Sequence, residues 1–174
     1  MRRFGGVPMV VVAALILVAC APGAGTPQAA AIRQSAPPWD APRDAVSYLE
    51  AVGLDPQSTS YRPASKGTLQ LAVTYNGSSV AIPARIGEDR LRGLTAGLHT
   101  HDGAGTVWLE PPEGPEADQP YTLGQFFGLW GIRFTDSCLR ARCAGVQVIV
   151  DGVRREQSLA ATPMVARTRI VVSG

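Results

Sequence analysis

Apolar residues alternate with polar ones at Leu69, Leu71, Val73 and Tyr75, a period of two that predicts a strand buried on one face. Asn76-Gly77 follows, and Val80, Ile82 and Ile86 then alternate again with Pro83 inside the run. This predicts a hairpin with a type I′ turn, its second strand held at an edge or a bulge by Pro83. The run 146–150 leads into Asp151-Gly152 and predicts a second hairpin, and 167–172 predicts a closing strand. Between the hairpins, Leu123, Phe126, Phe127 and Trp130 have the spacing of a buried helical stripe. Thr122 and Gln125 stand at capping-box spacing, and Tyr121 and Phe126 occupy the staple positions. Gly131 ends that helix, and Ile132-Arg133-Phe134 reads as a return to strand.

Aromatic residues are only 6% of the chain, so three of them on one helix mark it as the main hydrophobic plug rather than a ligand-binding cluster. The expected fold is α+β, a mostly antiparallel sheet with one buried central helix. A grasp-like sheet over that helix is the first expectation, and a β-sandwich with an inserted helix is the alternative. Nothing repeats at a fixed period, which sets solenoids and propellers aside. The compact domain is expected over 67–174, the usual size of a single domain. Before it, 39–66 reads as a short helix and a turn-rich linker. Asp40 would cap that helix, Pro42 would sit in its first turn, and Ala45, Tyr48, Leu49 and Val52 would share one face up to Gly53. Whether this helix docks on the domain stays open. Residues 88–97 read as a loop.

The chain begins with a basic pair, Arg2 and Arg3, and an uncharged, mostly apolar run over 4–19. That run is shorter than the roughly 20 residues of a membrane-spanning helix and has the flanks of a secretory signal. It ends in Leu17-Val18-Ala19-Cys20, which resembles the lipobox of bacterial lipoproteins. The resemblance implies a signal peptide over 1–19, lipidation of Cys20 and a place on the outer, extracytoplasmic face of the cell membrane. The membrane is then a partner through the lipid anchor. Residues 20–38 are rich in Ala, Pro, Gly, Thr and Gln and read as a disordered stalk. Loss of Arg2 and Arg3 with the signal leaves fourteen basic against fourteen acidic side chains, a net charge of zero. A neutral chain without a basic cluster argues against nucleic acid as a partner.

With Cys20 lipidated, Cys138 and Cys143 remain as an even pair in an oxidising compartment, and a local disulfide is expected. Their C-x₄-C spacing is not the C-x-x-C of thiol redox catalysts or zinc knuckles.

Both histidines fall in Leu98-His99-Thr100-His101-Asp102, ahead of Gly103-Ala104-Gly105 and a strand over 106–110. With 102–105 as the turn, His101 faces Thr106 and His99 faces Trp108. Leu98, Val107 and Leu109 then form a buried face, and His99, His101, Trp108 and Glu110 the opposite, polar one. Two histidines two apart on a strand can converge on one Zn²⁺ or Cu²⁺ ion, with Glu110 or an acid from Glu113, Glu116 and Asp118 supplying oxygen. No third histidine is available, and hydrolytic zinc centres draw on three protein ligands. The H-x-H of amidohydrolase barrels needs a chain of more than about 200 residues.

The pattern H-T-H-D-x-x-G, a strand, then T-L-G-Q-F-F-x-x-W-G over 99–131 resembles an uncharacterised domain of secreted and lipid-anchored bacterial proteins. In such relatives a third histidine often takes the position of Trp108, so the resemblance implies a weakened or lost metal site here. It supplies no reaction. The expected function is a non-catalytic binding or interaction module for a protein or small-molecule ligand, using Asp102, Trp108 and the acidic loop 111–120. The alternative is a Zn- or Cu-binding protein centred on His99 and His101. No cofactor is certain, and no catalytic residue is assigned.

Overall fold

The computed structural model describes residues 32–174; the expectations for 1–19, Cys20 and the first part of the stalk lie outside them. Strand β2 (Gly67–Tyr75, named after a two-residue β1, Gln57–Ser58) is the axis of the larger sheet. One of its edges pairs with β7 (Thr106–Leu109) along its first half and with β3 (Ser78–Val80) along its second. Its other edge pairs in parallel with β10 (Arg169–Ser173), which in turn carries β8 (Gln147–Val150) and β9 (Val153–Arg154). Beyond β7 lies β6 (Leu98–His99). A smaller sheet orders β1, β5 (Leu94–Thr95) and β4 (Glu88–Asp89). Two helices complete the set, α1 (Ala45–Ala51) and α2 (Leu123–Leu129). No helix among the described residues is long and apolar enough to cross a membrane.

The fold is mixed α and β with mostly antiparallel pairing, as the periodicities require. The order β3-β2-β10-β8, with β2 and β10 parallel at the centre and α2 between the hairpins in sequence, is the grasp-like arrangement. Alternation carries the register. Leu69 stands opposite Val107, Leu71 opposite Ile170 and Val73 opposite Val172, all buried on the core face. Asn76 and Gly77 both take positive φ, as a type I′ turn demands. The second strand of that hairpin stops at Val80, because Pro83 has no N–H to continue a ladder; Ile82 and Ile86 are buried as loop residues instead.

Helix α2 is capped as its sequence specifies. The Gln125 N–H donates to Thr122 Oγ1 at 3.2 Å, and the Thr122 N–H donates to Gln125 Oε1 at 2.9 Å. Leu123, Phe126, Phe127 and Trp130 are fully buried. Each contributes about 2–3 kcal/mol relative to an exposed side chain. The expected strand over 132–134 does not form. Residues 135–143 fold straight back, so Phe134 makes only an isolated bridge to Leu139. That return loop is closed by the Cys138–Cys143 disulfide.

The core extends further toward the N-terminus than Gly67. Trp39 is 1% exposed and meets Trp130 edge-on, ring centroids 5.6 Å apart, while the Trp130 indole N–H donates to the Trp39 carbonyl at 3.0 Å. Ala45, Leu49 and Leu54 are buried as well. The packed unit therefore begins before β2, and the end of the expected stalk lies on it: the Arg33 N–H donates to the Gly131 carbonyl at 2.8 Å. Helix α1 is shorter than expected. It starts after Asp44, not after Asp40, because Pro42 disfavours helical geometry at Ala41 and Trp39 must run into the core. It docks closely on α2, since a Cβ added at Gly128 would lie 2.3 Å from Val52 Cγ1. Residues 88–97, expected as a loop, supply β4 and β5, and these cover the histidine hairpin.

Candidate metal centre

Strands β6 and β7 pair Leu98 with Leu109 and His99 with Trp108, the register expected from the turn. Leu98, Val107 and Leu109 are buried, also as expected. The opposite face departs from expectation. His99 is only 2% exposed, because the segment before β4 crosses over it. Thr100 anchors that crossing. Its hydroxyl donates to the Pro83 carbonyl at 2.8 Å and accepts from the Ile86 N–H at 3.0 Å, while the Thr100 N–H donates to the Ile86 carbonyl. Gly87 makes the approach possible. Its φ is +80°, and a Cβ there would lie 2.6 Å from the Leu98 carbonyl oxygen and 3.3 Å from His99 Cβ.

This crossing delivers Glu88. Its Oε1 lies 3.2 Å from His101 Nδ1, and one donor atom each of Glu88, His99 and His101 falls within 4.8 Å of the others. Glu88 is the residue that sequence reasoning missed. It was hidden in an apparent loop, and nothing in its spacing to His99 marks it. Glu110, expected as the oxygen donor, is not part of the cluster; its carboxylate pairs with Lys66 Nζ at 3.1 Å. Asp102 turns inward on its own loop, its Oδ1 accepting the Ala104 N–H at 2.9 Å. Trp108 is half-buried and meets His101 edge-on with ring centroids 5.0 Å apart. The structure thus brings His99, His101 and Trp108 together and leaves Glu110 and Asp102 in supporting contacts.

The proton positions follow from the partners. His99 Nδ1 lies 2.8 Å from the Ala96 carbonyl, which only accepts, so Nδ1 carries the proton and Nε2 of the neutral ring presents its lone pair. That lone pair faces His101 Nε2 at 3.1 Å. Burial pushes His99 down to about 4, and neighbouring His101 pushes the same way, against the Ala96 hydrogen bond and the charge of Glu110; Lys66 lowers it further. His99 is therefore held as a neutral imidazole across the physiological range. His101 is half exposed, its Nδ1 set against Glu88 and its Nε2 against His99.

The two Nε2 atoms stand at hydrogen-bond distance, with the Glu88 carboxylate on the far side of His101. The same convergence of imidazole nitrogens is a donor set that a divalent transition metal can use. Two bonds of about 2.0–2.1 Å to one zinc ion set their nitrogens roughly 3.3 Å apart at a tetrahedral angle. The Ala96 carbonyl on one imidazole and the Glu88 carboxylate on the other are the outer partners that orient ligating histidines and raise their basicity.

Comparison with protein-family models, with curated proteins and with solved structures finds no match to this chain.

Proposed function

We propose that this chain is a lipid-anchored binding module on the outer, extracytoplasmic face of the cell membrane that holds a divalent transition-metal ion, Zn²⁺ or Cu²⁺, between His99 and His101. The observation that carries the metal reading is the convergence of the two Nε2 atoms at 3.1 Å, each ring backed at Nδ1 by its own acceptor. Imidazole is a donor suited to both ions, and a neutral, buried His99 needs no deprotonation to bind. Glu88 serves as the carboxylate that orients His101 or as a third donor. The anchor reading rests on Leu17-Val18-Ala19-Cys20 and the basic, apolar segment before it.

Two imidazoles and one carboxylate at the edge of the sheet are a donor set for a metal ion, and the binding role proposed here asks no more of them than to hold it. The bound ion would serve to hold a loop, to store metal at the membrane face or to bridge to a ligand there.

Calorimetric titration of the folded chain with Zn²⁺ and Cu²⁺ tests the metal reading. Micromolar or tighter binding of one ion per chain is expected, with a loss of at least a hundredfold on combining His99→Ala with His101→Ala. Absence of binding at micromolar metal in a folded protein would sink it. Metabolic labelling with a radioactive fatty acid tests the anchor separately. Label that persists after Cys20→Ser would rule out lipidation at that residue.

A further inference from the structure

The larger sheet buries one face; the other is covered at His99 but accessible over β2, β7 and β10, where the charged side chains on the strands are basic. Register places its residues in rows across the strands, about 4.8 Å from strand to strand. One row runs from Trp108 on β7 to Thr68 on β2, and Arg167 follows, its N–H donating to the Thr68 carbonyl at 2.7 Å. The next row runs from Thr106 through Gln70 to Arg169. There the Gln70 side-chain amide donates to Thr106 Oγ1 at 2.9 Å. No acidic residue stands on this face of β2, β7, β8, β9 or β10. The nearby acids are committed elsewhere. Glu110 pairs with Lys66, Glu156 lies 3.8 Å from Arg154, and Asp151 Oδ1 accepts the backbone N–H of Arg169 at 2.7 Å. Among the described residues, no carboxylate lies within ion-pair distance of the guanidinium group of Arg167 or Arg169.

Two cavities follow these rows. One of about 430 Å³ is bordered by Lys66, Thr68, Trp108 and Arg167, and one of about 400 Å³ by Gln70, Arg167, Arg169 and one acid, Asp151, whose Oδ1 is taken up by the Arg169 backbone N–H. Arg167 borders both, so they form one trough across the sheet. Its wall offers an aromatic ring, hydroxyl and amide groups, one carboxylate at Asp151, and two arginines whose guanidinium groups make no ion pair among the described residues.

We propose that this trough binds an anionic saccharide, with a sugar ring against Trp108, its hydroxyls on Thr68, Gln70 and Thr106, and its carboxylate or phosphate groups on Arg167 and Arg169. An aromatic side chain offers the apolar face of a sugar ring a flat partner, and the planar guanidinium forks match carboxylate and phosphate oxygens. A polynucleotide is the less fitting polyanion. It asks for a basic cluster larger than two arginines and a lysine, on a chain whose overall balance is far from strongly basic.

The test is titration of the full folded chain with a galacturonate oligosaccharide in the presence of a chelator, which makes the result independent of the metal reading. The probe should bind at least tenfold more tightly than a neutral oligosaccharide of equal length, with affinity falling as salt rises. Combining Arg167→Ala with Arg169→Ala, or Trp108→Ala alone, should weaken binding at least tenfold, and Trp108→Phe should keep most of it. Arg90→Ala removes a charge that lines neither cavity and should change affinity by less than twofold. Circular dichroism of each variant confirms that it is folded. Three results overturn the proposal: equal binding of the neutral sugar, equal loss on Arg90→Ala and on the Arg167/Arg169 pair, or an oligonucleotide of matched charge binding as tightly as the saccharide.

Discussion

The Nε2 atoms of His99 and His101 stand 3.1 Å apart, although one ring is buried beneath the β4 segment and the other reaches solvent. Backbone and carboxylate acceptors at Nδ1 hold both rings in that pose, so the second partner of each ring matters as well as the first. Glu88→Gln keeps the shape but weakens the acceptor facing His101. Zinc affinity should fall about tenfold, the usual cost of losing an outer-shell carboxylate. Titration calorimetry reads this directly.

Trp108 stands opposite His99 in the ladder and against His101. An imidazole at that position would lie beside the other two. Trp108→His should therefore raise zinc affinity at least tenfold, because a third nitrogen donor joins a shell that already has two. A variant that folds but binds no better would show that the cross-strand position cannot reach the ion.

Acid should weaken the fold through His99. The imidazole titrates at about 4 in the folded chain and at 6.5 when unfolded, so between those values the unfolded state binds more protons. Stability is fully present above pH 6.5 and is lost as pH falls toward 4. The loss attributable to this residue is on the order of 3 kcal/mol. Urea unfolding at pH 7 and at pH 4.5 with a chelator present measures it. His99→Asn can keep a donor to the Ala96 carbonyl, does not titrate, and should flatten most of the difference.

The Cys138–Cys143 bridge closes a short loop whose Leu139 is fully buried and whose Arg140 side chain reaches the Gln34 carbonyl and the Tyr75 hydroxyl. Replacing both cysteines with serine should cost about 2 kcal/mol, the value for so small a loop, and leave metal binding unchanged. Differential scanning calorimetry with metal titration separates the two effects.

Trp39 tests where the packed unit begins. It contacts Trp130 and Tyr75 inside the core, so Trp39→Ala should cost about 3–5 kcal/mol. A chain started at Gly67 should lose cooperative unfolding. If its melting matched that of the longer chain, residues 39–54 would be dispensable to the core.

Local pattern was sufficient wherever a residue's partner lies close in sequence. The Asn76-Gly77 turn, the Thr122–Gln125 cap, the stripe from Leu123 to Trp130 and the pairing of His99 with Trp108 could all be read from spacing. Each depends on a backbone period or on a contact a few residues away. The metal cluster could be read only in part. The two histidines were visible, but their neighbour Glu88 arrives on a two-residue strand with no periodicity of its own.

The chain's own residues determined the alternating strands, the capped helix, the cysteine pair and the candidate histidines, because all of these are written in local spacing and chemistry. Tertiary structure alone decided that His99 is buried, that Glu88 rather than Glu110 joins it, that β2 and β10 lie parallel, and that Trp39 belongs to the core. Those outcomes depend on contacts between segments far apart in the chain, formed only where burial of apolar surface and the pairing of buried polar groups can both be satisfied.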